Sequence, residues 1–352
     1  MKIVHVITSL GLGGAERTVC DLADQQALTD NDVYLISLTG KTVTKPENNS
    51  IKIINLKCNK SAVGYFKALL GLSKILKKIA PDVVHGHMFH AIMAVRLIPV
   101  KKFVVINTFH NLCETSKIRC LLLKATNFLK DLNTCVCDEA SAFYGGVTIP
   151  NGIPLDKFAF DKFGCEKIKK AYAINEGVFL FGYVGRLHKD KNVELLIEAF
   201  SHIKNTAPNS KLLIVGDGEN AQHLRDYVAE LNLESMVIFH GRSANITEIY
   251  SSIDLLVIPS LKEGFGLVAA ESILCGTPVI SMNNSGVPYV LDCPDLICNS
   301  IDDLQTKMMM FYSRNKIISV DKIAKSIEKR FSMLNIEHTY RDMYFKVKRT
   351  IR

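Results

Sequence analysis

Residues 262–271, KEGFGLVAAE, place two carboxylates around a glycine-rich turn and the start of a helix. Glu263 stands on the turn. Glu271 lies eight positions on, inside an apolar run, where an unpaired charge would be very costly. Upstream, Gly185-Arg186-Leu187-His188-Lys189-Asp190-Lys191-Asn192 follows a strand pattern, VFLFGYV, and leads into a helical one. Cations favour the C-terminal end of a helix, so Arg186 and Lys191 converging on an N-terminal end require an anion. A diphosphate fits, since charge-assisted hydrogen bonds contribute about 1.5–3 kcal/mol each. Gly264 and Gly266 allow close backbone approach, and a helix from about Leu267 points its positive end at the same region. Glu271 can then accept both hydroxyls of a ribose, which would make the ligand its partner. Glu263 would face the neighbouring sugar ring.

A third loop, Gly11-Leu12-Gly13-Gly14-Ala15-Glu16, follows the first strand and opens the first helix. Gly13 and Gly14 can present backbone N–H groups to an anionic oxygen. A dinucleotide fingerprint fails here. Its third glycine would fall on Glu16, and the second strand, VYLISLTG, ends without an acid for a ribose. Asp30-Asn31-Asp32 has the look of a metal-binding Asp-x-Asp, but it precedes the second strand. Ligands bind beyond the carboxyl ends of strands in open α/β sheets, so it reads as a helix-to-strand turn.

Positioning these loops requires parallel sheets. Apolar strand candidates (KIVHVITS, VYLISLT, DVVHGH, VVINTFH, TCVCD, then FLFGYVGR, KLLIVGD, VIFHG, LLVIPS, PVISM) alternate with amphipathic helices such as YFKALLGLSKILKKI and VELLIEAFSHIKN. That alternation means sheets covered on both faces. The pattern breaks at TIPNGIPLDKFAFDKFGCEK and restarts at VFLFGYVGRL. The expected organisation is α/β: a Rossmann-like domain over 1–150, a linker over 151–167, a second Rossmann-like domain over 168–330, and a basic helical tail over 331–352 packing back on the first domain. A cleft between the two doubly wound domains would hold the ligand.

G-R-L with a nearby lysine, then E-G-F-G with E-x7-E, resembles glycosyltransferase family 4, retaining enzymes of the GT-B fold. The likeness is strongest over about 180–292, where LLIVGDG and FHG fall between the two motifs. GLGGAE, VVHGH and NTFH carry a looser likeness in the N-terminal half. The resemblance implies that Arg186 and Lys191 grip the donor diphosphate and that Glu271 binds the ribose. It implies that Glu263 contacts the donor sugar, with the amides of Gly264, Phe265 and Gly266 close to phosphate and sugar. Gly14, beside Gly13, would touch the diphosphate, and His110 would lie by the donor sugar. His87 and the nearby His90 are weaker candidates, because a strand-end histidine is as often structural. Gly218 of VGDG and His240 of FHGR would frame the base, with UDP the family's commoner choice.

The implied reaction transfers a hexosyl unit from a nucleotide-diphosphate sugar to a saccharide or lipid-linked acceptor in surface-polysaccharide assembly (O-antigen, capsule or lipopolysaccharide). No metal or other cofactor is expected. Arg186, Lys191 and helix dipoles would stabilise the departing diphosphate. Family members retain configuration by a front-face route in which the leaving phosphate oxygen helps deprotonate the acceptor. A nucleotide-sugar epimerase of the same architecture is the alternative. An NAD-linked oxidoreductase is disfavoured by the broken glycine fingerprint.

Bulk properties set the remaining bounds. The 352 residues, 48% hydrophobic, suffice for two cores. Net charge is +8 and uneven: residues 1–150 carry 18 Lys/Arg against 11 Asp/Glu, the rest 25 against 24. A basic first half suits a polyanionic neighbour. The chain has no Trp and no arginine-rich, aromatic-interleaved stretch, which disfavours nucleic acid and leaves an anionic membrane surface. Two basic amphipathic segments, 65–79 and 116–130, could lie against it. No apolar run is long enough to span a bilayer, and the N-terminus reads as a strand, not a signal peptide. The ten scattered cysteines read as reduced thiols. The expected location is the cytoplasm, peripheral to the inner face of the cell membrane.

Overall fold

The structure, a computed structural model, describes residues 1–40, 42–59, 61–99, 102–283, 286–314 and 318–351. The chain divides into two compact units. Unit 1 comprises Met1–Pro154 and Phe331–Arg352, and unit 2 comprises Leu155–Arg330.

In unit 1 the elements run β1 (Lys2–Ser9), α1 (Gly14–Ala27), β2 (Asp32–Thr39), β3 (Lys52–Cys58), α2 (Ala62–Ile79), β4 (Val83–His87), α3 (Phe89–Arg96), β5 (Val104–Phe109), α4 (Lys117–Ala125), β6 (Leu132–Cys135), α5 (Asp138–Tyr144) and β7 (Val147–Thr148). Unit 2 continues with α6 (Lys162–Ala171), β8 (Phe179–Val184), α7 (Val193–Ile203), β9 (Ser210–Val215), α8 (Ala221–Glu230), β10 (Val237–Gly241), α9 (Ile246–Ser252), β11 (Leu255–Ile258), α10 (Leu267–Leu274), β12 (Val279–Met282), α11 (Gly286–Leu291), β13 (Ile297–Cys298), α12 (Ile301–Tyr312) and α13 (Val320–Phe331). The last helix, α14 (Met333–Ile351), belongs to unit 1.

Unit 1 is a parallel sheet in the order β3-β2-β1-β4-β5-β6-β7, and unit 2 one in the order β10-β9-β8-β11-β12-β13. Both are doubly wound. The order reverses between β1 and β4 in unit 1, and between β8 and β11 in unit 2. A loop leaving either strand at such a point opens onto a crevice, where α/β sheets bind ligands.

The side-chain period of two decides what each face of the unit 1 sheet carries. Val4, Val6, Val84 and Val105 pack with α2 and α3 in one core cluster. The opposite face carries Ile3, Val83, Val104 and Ile106 against Leu22 of α1 and Met333, Ile336, Tyr340 and Tyr344 of α14. The register pairs His5 with His85, and His87 with Thr108, on this second face. A row of polar side chains therefore runs through an otherwise apolar layer.

Several elements differ from the sequence expectation. The stretch read as a linker, 151–167, contains the division between the two units after Pro154 and also the start of α6 at Lys162, capped by Asp161, whose side chain accepts from the Gly164 amide at 2.9 Å. Strand β3 escaped notice. It is an edge strand, half-exposed and bracketed by Lys52 and Lys57, so its alternation is weak. None of the ten cysteines forms a disulfide, and only Cys20, Cys135, Cys137, Cys275 and Cys298 are buried. No helix among the described residues is long and apolar enough to cross a membrane.

Arg96, at the end of α3, is 1% exposed. Its guanidinium donates to the Leu123 carbonyl at 2.9 Å, the Thr126 hydroxyl at 3.1 Å and Asn133 Oδ1 at 3.0 Å, tying the end of α4 to β6. Burial pulls its pKa down to about 10, so it stays charged near neutrality. Replacing it removes three hydrogen bonds from a dry interior, where Asn133 Oδ1 keeps only the Asn107 amide at 3.3 Å. Arg96→Leu is expected to lower urea unfolding stability by about 2–4 kcal/mol. A loss below about 0.5 kcal/mol would show that α4 does not depend on this anchor.

Candidate functional site

In unit 2, β8 and β11 are adjacent. The loops that leave them, 185–192 and 259–266, therefore emerge side by side at the switch point. They are stitched together by backbone: the Leu261 amide donates to the Asp190 carbonyl at 3.1 Å. Leu187, 2% exposed, plugs the first loop into the core. Its amide donates to the Asp217 carbonyl at 3.1 Å, and its carbonyl accepts from the Asn220 amide at 3.0 Å. Gly218 lies against that carbonyl oxygen so tightly that any Cβ would collide with it. The glycine is needed for loop-on-loop packing, whatever else it does.

This frame brings Lys191 onto Glu263. The ammonium donates to Glu263 Oε1 at 2.6 Å, and the Ser260 hydroxyl donates to the same oxygen at 2.8 Å. The two side chains are 24% and 14% exposed. The sequence reading gave them separate tasks, and the structure shows that they bind each other. Arg186 is exposed on the same loop and makes no ion pair among the described residues. Gly264 and Phe265 follow, with Phe265 buried at 3%. Gly266 starts α10 with φ +89, a left-handed conformation that favours glycine, and an added Cβ would press on Val287. The Glu263 carbonyl accepts from the Gly286 amide at 3.1 Å, which fixes the turn from behind.

Glu271 sits one turn into α10 and is 3% exposed. Its partner is within the chain: the Tyr250 hydroxyl of α9 donates to Oε2 at 2.8 Å. The expectation that a ligand alone would compensate this carboxylate is corrected accordingly. His240, near the end of β10, is paired with the Tyr172 hydroxyl at 2.8 Å, and partial burial lowers its pKa.

In unit 1, Gly13 caps α1 in an extended conformation. The helix start already has an anion nearby, because the Glu16 carboxylate folds back against Gly13. The Thr18 hydroxyl donates to the Gly14 carbonyl at 2.8 Å, and Thr18 also lines a cavity of about 10 Å³ with His87, His110, Asn151 and Tyr340. That volume is on the scale of a single water. His110 is half-buried. Its Nε2 contacts His87 Nδ1 at 3.3 Å, and its Nδ1 is buried with no hydrogen-bond partner. His87 is 1% exposed with both nitrogens engaged, since its Nε2 meets His5 Nδ1 at 2.9 Å. It has no nitrogen left for a ligand. His90 stacks on Tyr65, centroids 4.5 Å apart.

His5 and His85 were missed. Their signal was a histidine in mid-strand among β-branched neighbours. His5 Nε2 meets Gln26 Oε1 at 2.7 Å, His85 Nδ1 meets the Tyr344 hydroxyl at 2.8 Å, and His85 Nε2 meets the Thr108 hydroxyl. Potential ligand atoms of His5, His85 and His87 lie within 4.8 Å of one another, close enough for a metal. All six of their nitrogens have hydrogen-bond partners, so the chain itself satisfies the cluster. Burial pushes the pKa of His5 and of His110 down to about 4, and holds His85 and His87 well below the usual value. All four rings are neutral at pH 7. Asp30-Asn31-Asp32 lies at the start of β2, with Asp32 ion-paired to Lys52 at 3.0 Å.

The fold matches solved structures over nearly its whole length. A structure of the Anabaena protein HepE in complex with UDP and glucose superposes with a TM-score of 0.86 at 18% identity, covering 98% of this chain and 100% of that one. A sucrose-phosphate synthase from Thermosynechococcus elongatus gives 0.85 at 20% identity, covering 99% of each. The architecture is therefore that of the GT-B glycosyltransferases. Residues 12–157 match the family described as Glycosyltransferase Family 4, and residues 165–300 the one described as Glycosyl transferases group 1. The chain belongs to glycosyltransferase family 4. Among its relatives, an Escherichia coli UDP-Gal:α-D-GlcNAc-diphosphoundecaprenol α-1,3-galactosyltransferase is 28% identical, with 94% of this chain and 95% of that protein covered. The Staphylococcus aureus capsular polysaccharide biosynthesis glycosyltransferase CapM is 25% identical over 72% of each. These relatives lend no support to the epimerase alternative.

Proposed function

We propose that the protein is a retaining, metal-independent hexosyltransferase that uses a UDP-sugar and extends a saccharide or lipid-linked glycan in surface-polysaccharide assembly. The observation that carries this reading is the Lys191–Glu263 pair on the two loops at the unit 2 switch point. In the free protein the acid orients the cation. A donor diphosphate, with more negative charge than one carboxylate, would draw Lys191 and Arg186 to itself and release Glu263 to the sugar hydroxyls. Glu271, held by Tyr250, would receive the ribose hydroxyls. Gly218, His240 and the amides of Gly264, Phe265 and Gly266 keep the donor-binding roles that the resemblance implies, as do Gly13, Gly14 and His110. Support for UDP comes from the HepE complex and from the UDP-Gal named for the Escherichia coli relative. The diphosphoundecaprenol in that relative's name supports a lipid-linked acceptor.

In the proposed reaction the bond from the anomeric carbon to the β-phosphate oxygen breaks, and a bond to the acceptor hydroxyl oxygen forms on the same face. The hydroxyl proton passes to the departing phosphate oxygen, so UDP leaves and no protein nucleophile is required. Lys191 and Arg186 stabilise the charge gathering on that oxygen, an effect whose removal typically costs about 10²–10³ in rate.

The acceptor reading extends to a membrane surface. Val63, Phe66 and Leu70 of α2 are 65%, 61% and 50% exposed, while Ile118 and Leu121 of α4 and the following Phe128 are 73%, 68% and 80% exposed. Tyr65 of α2 stacks on His90, and Arg119 of α4 lies over Phe89, so both helices meet the start of α3. The same two helices carry exposed lysines at 67, 74, 77, 78, 117 and 124. Exposed apolar residues and lysines on the same helices suit anionic lipid.

Three outcomes test this reading. Lys191→Ala and Glu271→Ala should each cut acceptor-dependent UDP release by about a hundredfold or more, both variants staying folded, with Glu271→Ala unfolding a few degrees lower because the Tyr250 hydroxyl loses this acceptor. Near-parental turnover in either variant would remove the assignment. The parent enzyme should keep its rate in excess EDTA, whereas abolition there would restore a metal to the mechanism. In pelleting assays the protein should sediment with vesicles containing phosphatidylglycerol and stay in solution with neutral ones. Indifference to lipid charge would refute the membrane reading.

A further inference from the structure

The histidines of unit 1 form a chain whose hydrogen-bond direction can be worked out. Each neutral imidazole carries one proton, so a ring that accepts at one nitrogen donates at the other. The links run from Asn107 to Thr134, Thr108, His85, Tyr344, Gln26, His5, His87 and His110. At the far end, a backbone carbonyl can only accept, so Thr134 donates to Asn107 O at 3.3 Å. Thr108 then donates to Thr134 at 2.6 Å, and His85 Nε2–H donates to Thr108. His85 Nδ1 therefore accepts from the Tyr344 hydroxyl, and that oxygen accepts from Gln26 Nε2 at 3.5 Å. This turns the Gln26 carbonyl toward His5, whose Nε2–H donates to it. His87 Nε2–H donates to His5 Nδ1, and His110 Nε2–H donates to His87 Nδ1. His110 Nδ1 is left as a bare lone pair.

Reversing every link is the competing arrangement. It forfeits either the bond to the Asn107 carbonyl or, if the Tyr340 hydroxyl donates to Thr108 instead, the 2.6 Å bond between Thr134 and Thr108, and it buries an unpaired N–H at His110 Nδ1. Orphaned buried N–H groups are rarer than under-used acceptors, so the first direction is favoured on both counts.

We propose that Gln26, acting through His5 and His87, fixes the tautomer of His110 so that Nδ1 is a hydrogen-bond acceptor, and that sugar binding uncovers this atom, buried in the free protein, so that a substrate hydroxyl donates to it. Gln26 and His5 are positioning residues. The C-terminal helix α14 takes part because Tyr344 sets which way the Gln26 amide points. The hydroxyl half of the inference rests on the reading of His110 as a sugar-facing residue; the tautomer half does not.

The test is a long-range ¹H–¹⁵N spectrum of the full chain labelled with ¹⁵N-histidine, with His110 assigned by loss of its signals in His110→Asn. The expected result is an unprotonated, pyridine-like Nδ1 and a protonated Nε2. Gln26→Leu removes the acceptor that holds His5, and its His110 signals should move toward a mixture of tautomers. Gln26→Glu keeps an acceptor opposite His5 Nε2 and should restore the parental pattern. Turnover of a UDP-sugar should follow the spectra, falling roughly three- to tenfold in Gln26→Leu, the worth of about one hydrogen bond, and recovering in Gln26→Glu. A protonated Nδ1 in the parent protein would overturn the inference whether or not the enzyme transfers sugar. A parental tautomer in Gln26→Leu would overturn the role of Gln26. The parental spectrum and Gln26→Glu decide the matter if the leucine variant fails to fold. The expected tautomer in a chain that turns over no nucleotide sugar would overturn the hydroxyl half alone, with the failure assigned to the functional reading.

Discussion

An ammonium and a carboxylate meet at 2.6 Å where two strand-end loops of unit 2 emerge side by side. The placement of the other residues in those loops follows from how that contact is built. Lys191 stands on a short helical turn after β8, and Glu263 on a turn after β11. They come together only because those strands are neighbours across the order reversal of the sheet. Leu187 in the core, Gly218 against its carbonyl and Gly286 behind Glu263 hold the loops in that position. Part-exposed ion pairs contribute little, about 0–1 kcal/mol. The pair is therefore weakly held by itself and easily outbid by a doubly charged group. A lysine so arranged is oriented at small energetic cost, which is what the proposed donor diphosphate would require.

Unit 1 meets the opposite demand. It buries His5, His85 and His87 completely on a face otherwise filled with isoleucine, valine and leucine. Desolvation keeps the rings neutral, and every nitrogen of these three is matched by a partner. A fully satisfied buried network specifies one arrangement, whereas a half-satisfied one destabilises. Completion depends on the end of the chain. Tyr340 and Tyr344 come from α14, which covers the same face as α1 and contributes Met333 and Ile336 to the apolar part of the layer. The helix supplies packing and hydrogen bonds together.

Much of this was legible in the residues. Alternating apolar strands and amphipathic helices gave the two parallel sheets, and the position of each motif after a strand marked it as a strand-end loop. What escaped were partners distant in sequence. Glu271 looked uncompensated because Tyr250 lies 21 positions away on another helix. Lys191 and Glu263 looked like separate tools because the adjacency of β8 and β11 is a property of the sheet order. His87 looked like a ligand contact because a strand end is where contacts occur, yet His5, paired from 82 positions away, occupies its Nε2. Edge strand β3 was hidden by its own lysines. In each case local pattern identified the element, and only the packed fold revealed what its polar atoms face.

The proposed function turns on one exchange, in which Lys191 would leave Glu263 when a sugar diphosphate arrives. A crystal structure of the protein with a non-hydrolysable UDP-sugar tests this directly. The account predicts Lys191 Nζ within hydrogen-bond distance of a phosphate oxygen and Glu263 turned to the sugar hydroxyls. An unbroken Lys191–Glu263 contact, with the diphosphate bound by other groups, would contradict it.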